Sequence, residues 1–145
     1  DKSSVIKPTK PLPQHWMNIA IGRSGFKLNA IASLWDNASE SYDSHELRAE
    51  LEIFDNKHAK AYYGLLEQEK AALEDELGEP LIWYNPDNAK VCRIYVRRTA
   101  DLKDPEVRPE QNEWLLNKLE ALHKVFAARV KNLNASDYQP TEDEE

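Results

Sequence analysis

The chain has 145 residues and a formal net charge of −7. Its mass of 16.7 kDa is that of one domain, and size scaling gives roughly 7,600 Å² of folded surface against about 24,000 Å² unfolded, enough burial to form a core without metals or disulfides. Cys92 is the only cysteine, which excludes an intrachain disulfide and a multi-cysteine zinc site.

No apolar run approaches the roughly 18 residues of a membrane span. The leader DKSSVIKPTKPLPQ lacks the apolar centre of a secretion signal. No membrane association is expected, and the cytoplasm is the expected compartment. The sequence begins with Asp1 rather than Met, so the chain is expected to be processed or cut from something longer. Much of the acidity sits in the last residues, Glu142, Asp143, Glu144 and Glu145. The remainder is still mildly acidic, which weakens non-specific binding to a phosphate backbone and leaves room for a local basic patch.

Three domain-level segments are expected. Residues 1–15 form an extended leader, held out of helix by Pro8, Pro11 and Pro13. Residues 16–134 form a single α+β domain. Residues 135–145 form an acidic flexible tail.

Within the domain, Trp16 to Ile21 reads as a strand with Met17, Ile19 and Ile21 inward. Gly22-Arg23-Ser24-Gly25 suits a tight reversal. A second strand runs from Phe26 to about Trp35, with Phe26, Leu28, Ala30, Ala32 and Leu34 on one face. Asp36 to His45 reads as a loop. A third strand runs from Glu46 to Phe54. Leu47, Ala49, Leu51 and Ile53 point inward, while Arg48, Glu50, Glu52 and Phe54 face solvent.

Asp55 or Asn56 can cap a helix over about 57–77, ended by Gly78 before Pro80. Its stripe is Tyr62, Leu66, Glu69, Leu73 and Leu77, broken only by Glu69. Leu81 to Tyr84 is a short strand, and Asn85-Pro86-Asp87-Asn88 a turn. Lys90 to Arg98 is the fifth strand. Cys92, Ile94 and Val96 take one face; Arg93, Tyr95 and Arg97 take the other. Residues 99–110 form a polar connection. A final helix over about 110–133 repeats Leu115, Leu119, Leu122, Phe126, Val130 and Leu133 at three- and four-residue steps. The order βββ-α-ββ-α predicts a single curved, mainly antiparallel sheet with two long helices packed on one face. It carries no dinucleotide fingerprint.

The other sheet face is the candidate working surface. Arg93, Tyr95 and Arg97 share it, Arg48 joins them if the third strand lies beside the fifth, and arginine forks beside a tyrosine can hold phosphates or carboxylates and stack bases. Glu50 and Glu52 share it too, so ordinary cross-strand pairing is the competing reading. Arg23 and Ser24 in the Gly-flanked turn are candidate anion or partner contacts, set against a plain hairpin turn. Trp35, Phe54 and Trp114 are candidate interface residues.

Catalytic signals are weak. His15, His45, His58 and His123 have no metal-ligand spacing. A restriction-type nuclease would want an acid on a strand and Asp/Glu-x-Lys on the next. Glu50-Leu51-Glu52 lacks the lysine, and Asp101-Leu102-Lys103 falls in a loop. Asp36, Asp43, Asp104, Glu106 and Glu110 are the remaining acids available to a magnesium site. Ser24 has no evident His/Asp relay, and Cys92 is expected buried. No catalytic residue, cofactor or metal is therefore assigned.

The segments QHWMNIAIGRSGF (14–26), ELRAELEIFD (46–55), ELGEPLIWYNP (76–86), CRIYVRR (92–98) and PEQNEWLLNKLEALHKVFAARVKNL (109–133) together resemble an uncharacterised bacterial and archaeal family, domain of unknown function 4268. The resemblance spans roughly 8–134. It implies a C-terminal module, often behind a nuclease-like or restriction-related region, and so DNA-related biology by association. Gly22, Arg23, Ser24, Gly25, Arg93 and Arg97 match its pattern. Ala100 stands where the family commonly has Gly. The expected function is a non-catalytic accessory or recognition module contacting nucleic acid (DNA or RNA) or a nuclease-like partner domain. The alternatives are a structural or homodimerisation domain and a metal-dependent nuclease.

Overall fold

Alternation of apolar and polar residues builds the strands. The computed structural model describes residues 17–33, 46–100 and 105–139. The expected leader, Trp35, and the acids Asp36, Asp43, Asp101 and Asp104 lie outside the described residues.

Strands β1 (Met17–Ala20), β2 (Phe26–Ser33) and β3 (Glu46–Ile53) are followed by helices α1 (Ala59–Glu67) and α2 (Lys70–Leu77). Then come β4 (Ile82–Tyr84), β5 (Cys92–Thr99), helix α3 (Arg108–Asn132) and a 3-10 turn at Ala135–Asp137. The sheet order is β1-β2-β3-β5-β4, with every neighbouring pair antiparallel. The α+β architecture is as expected, and the central place of β3 is what only the fold reveals.

The inward parity holds. Leu28, Ala49, Leu51 and Ile94 are fully or almost fully buried against Leu119, Leu122 and Phe126 of α3. Burying each such large side chain is worth roughly 1.5–3 kcal/mol before chain entropy is counted. The three described helices share this core, α1 and α3 against the sheet and α2 against α3.

The β1–β2 reversal needs its glycines. Gly22 and Gly25 have φ of 92° and 89°, left-handed conformations that a side chain disfavours. A Cβ on Gly25 would also lie 2.9 Å from Asp55 Cβ. The Gly25 carbonyl accepts from Phe54 N at 2.8 Å. The turn is thereby seated against the end of β3.

The single helix expected over 57–77 is two. Glu69 N donates to the Leu66 carbonyl at 2.9 Å, a three-residue step, and Leu73 N then donates to the Glu69 carbonyl at 2.9 Å. Glu69 itself has φ −101° and ψ 16°. The run Glu67-Gln68-Glu69-Lys70 is exposed, so no apolar side chain ties that turn to the core. The bend lets Glu69 and Glu76 both meet Arg129 of α3. Beyond the break, Gly78 ends α2 in the left-handed conformation, as expected.

Residues 135–137, at the start of the expected tail, form the 3-10 turn. Asn134 caps it by accepting from Ser136 N at 3.1 Å.

Candidate functional site on the charged sheet face

Register places the side chains of the second face in rows. One row runs Lys27, Glu52, Arg93, Tyr84 across β2, β3, β5 and β4. The next runs Asn29, Glu50, Tyr95, Ile82, and beyond it Ile31, Arg48, Arg97. Arg48, Arg93, Tyr95 and Arg97 are thus brought together as expected.

The expected solvent exposure of this face is wrong at its centre. Glu50 and Asn29 are 0% exposed, Glu46 1% and Arg48 7%. The alternating pattern reported polarity, and polarity here reflects pairing rather than contact with water.

Carboxylates inside a fold require partners. Arg93 donates to Glu50 in a short charge-assisted contact. Asn29 Nδ2 donates to Glu50 and to Glu52, both at 2.7 Å. Arg93 also sits 3.3 Å from Glu52, with Lys27 3.8 Å from the same oxygen. Arg48 Nη2 donates to Glu46 at 2.8 Å, and its Nη1 lies 3.6 Å from Glu50. Arg97 Nε is 2.8 Å from the second Glu46 oxygen, a close ion pair that lacks hydrogen-bond alignment. Arg48 stacks over Tyr95 at 4.1 Å from the ring centroid.

Three glutamates therefore face three arginines, with Lys27 as an extra cation. Burial pulls the Arg93 guanidinium's pKa down, but Glu50 and Glu52 more than offset this and raise it. Burial pushes the Tyr95 phenol up, with Arg48 opposing. Asn29 Oδ1, Arg48 Nε and Glu50 Oε1 are buried with no hydrogen-bond partner.

The accessible part of the face lies along the first row and at Ile82, the β4 end of the second. Lys27 and Arg93 side chains are each 31% exposed. Tyr84 and Ile82 stand exposed on β4, and Phe54 on the residue after β3. Lys27 Nζ lies 5.2 Å from the centre of the Phe54 ring. Lys27 and Arg93, with the mostly buried Glu52 between them, are thus flanked by Phe54 at one end of an open strip and Tyr84 at the other. Sequence reasoning found Phe54, Lys27's strand and Arg93, but missed Ile82 and Tyr84. Their exposure depends on β4 being an edge strand, which no local pattern announces.

Arg23 is placed elsewhere. Its Nη1 donates to the Val130 and Leu133 carbonyls at 2.8 and 2.6 Å, and its Nη2 to the Tyr62 hydroxyl at 3.0 Å. Its guanidinium stacks 4.8 Å from the centre of the Tyr62 ring. The arginine closes the end of α3 instead of reaching into solvent. Ser24 is exposed in the turn. Trp114 is half-buried against the core edge, with Arg98 and Lys118 at 5.9 and 6.0 Å from its ring centre.

No group of three or more His, Cys, Asp or Glu among the described residues is arranged to hold a metal ion. Cys92 is buried, its Sγ donating to Asn85 Oδ1 at 3.4 Å, and burial pushes the thiol pKa up. No described helix is long and apolar enough to cross a membrane.

The family described as Domain of unknown function (DUF4268) matches residues 1–130. No curated protein and no solved structure matches the chain.

Proposed function

We propose, for a chain that belongs to the DUF4268 family, the role of a non-catalytic protein-interaction module. Its contact surface is the strip Phe54, Lys27, Arg93, Tyr84 and Ile82. Its partner is a polypeptide segment that carries carboxylates beside apolar side chains.

The observation that carries this reading is the pairing of Arg48, Arg93 and Arg97 with Glu46, Glu50 and Glu52. Nucleic acid is held by a strongly positive surface that exchanges counterions for phosphates. Here the guanidiniums are already matched to carboxylates and Arg23 is engaged at a helix end, while Lys27, half-exposed and 3.8 Å from Glu52, is the loosely paired cation of the strip that can meet a partner carboxylate. Exposed aromatics beside half-exposed cations match the composition of protein contact surfaces. Each carboxylate of the face is held by a guanidinium, an arrangement suited to recognition rather than to proton transfer.

The test is a pair of titrations on the full chain. One uses labelled single- and double-stranded DNA and RNA at low and physiological salt. The other uses an array of peptides varied in acidic and apolar content. The expected result is binding of acidic-apolar peptides that Tyr84→Ser and Lys27→Gln weaken, with no salt-sensitive nucleic-acid binding. Saturable DNA or RNA binding that disappears in the Arg93→Ala/Arg97→Ala double variant overturns it and favours nucleic-acid recognition.

A second reading, homodimerisation across β4, is favoured by Ile82 and Tyr84, 39% and 48% exposed on an edge strand. Concentration-dependent sedimentation separates it from the first.

A further inference from the structure

Gly64 is a buried glycine inside α1, where glycine is disfavoured relative to alanine. Its φ is not left-handed, so the backbone does not require it. What occupies its space is Tyr138: a methyl group at Gly64 would overlap the Tyr138 ring and lie 2.8 Å from its Cζ. The missing side chain makes a notch, and the ring fills it.

The chain between α3 and that ring is built lightly. Leu133 and Asn134 are extended, with φ/ψ of −66°/138° and −130°/116°. The turn that follows is held by Asp137 N donating to the Asn134 carbonyl at 2.9 Å and Tyr138 N to the Ala135 carbonyl at 3.1 Å. Ser136 and Asp137 are exposed. Ala135 packs at the core edge. The anchor of the segment is therefore the ring in the notch. The end of α3, by contrast, is clamped by Arg23 at the Val130 and Leu133 carbonyls.

We propose that residues 134–139 are a releasable strap, locked onto α1 by Tyr138 in the Gly64 notch and hinged at Leu133, where the Arg23 clamp stops the opening. Release uncovers a recess of aromatic-ring size on α1 and leaves the sheet and α3 intact. Local opening of this kind is expected where few apolar contacts hold a segment with exposed backbone hydrogen bonds.

Hydrogen exchange on the full chain tests it, with the native protein beside Tyr138→Ala and Gly64→Ala. The expected result is faster exchange of the backbone amides at positions 136, 137 and 138 by roughly tenfold in both variants. Amides up to Leu133, and those of β3 and β5, keep their native rates. Gly64→Ala is informative because it favours the helix while evicting the ring, so a role confined to helix stability moves exchange the other way. Equal rates at 136–138 in all three proteins overturn the lock. A parallel rise in β3 and β5 exchange, or failure of either variant to fold, overturns releasability, since the strap would then be part of the global fold.

Discussion

The guanidinium of Arg23 donates to the carbonyl of Leu133 at 2.6 Å, 110 residues away along the chain. The last carbonyls of a helix have no partner within it, and that end carries partial negative charge. Arg23 supplies both hydrogen bonds and charge from a hairpin turn. Arg23→Ala is expected to destabilise the fold by about 1–3 kcal/mol, the range for losing charge-assisted hydrogen bonds. Arg23→Lys should recover only part of this, because an ammonium cannot reproduce the fork that reaches Val130, Leu133 and Tyr62 together. Urea unfolding of the three proteins measures the difference.

Glu50, fully buried, and the half-exposed Arg93 form a pair whose members depend on each other. Glu50→Ala leaves Arg93 and Arg48 without the carboxylate between them, and breaking one side of such a pair typically costs about 3–5 kcal/mol. Replacing both members by apolar residues of similar volume is expected to cost far less than the two single changes together. A double-mutant cycle by chemical denaturation reads this, and simple additivity would contradict the coupling.

Acid should first loosen the turn that Asp55 holds ahead of α1 and the Glu76–Arg129 ion pair. Asp55 Oδ1 accepts from Lys57 N and His58 N at 3.0 and 2.9 Å, and the backbone N–H of His58 is the main cause holding its carboxyl below the usual value. The hydrogen bond from Arg129 does the same for Glu76. A carboxylate with a depressed folded pKa stabilises the fold above its unfolded pKa, and that contribution fades as pH falls through the folded one. Melting temperature should therefore decline below about pH 4, with a shallower decline in Asp55→Asn and Glu76→Gln.

Alkali acts through the phenols. Burial, then Glu67, pushes the Tyr63 phenol far above its usual range, and burial likewise raises Tyr95. A phenol raised in the fold stays neutral while its unfolded counterpart ionises at about pH 10. The stability it contributes is complete below that pH and is lost as pH rises toward the folded value. Ultraviolet titration should show late-ionising tyrosines whose signal shrinks in Tyr63→Phe and Tyr95→Phe. Ionisation of every tyrosine in one step at about pH 10 would contradict the burial of these two.

Much of the architecture is written in local pattern. The parity of Leu47, Ala49, Leu51 and Ile53 marks the helix-facing side of β3, and Gly22, Gly25 and Gly78 mark reversals and a helix end. These signals are local because strand alternation and left-handed glycine geometry are properties of a few consecutive residues. The break at Glu69 escapes the pattern, since the apolar spacing from Leu66 to Leu73 continues through it.

The candidate site was half legible. Arg93, Tyr95 and Arg97 announce one strand face by alternation alone. That Glu50 is buried between Asn29 and Tyr95 depends on β3 lying between β2 and β5. That Arg23 serves a helix end depends on where α3 stops in space. Strand order, burial of charge and long-range caps arise from residues far apart in the chain. Which residues share a face is a property of neighbours along the chain; what each face meets is a property of the packed fold.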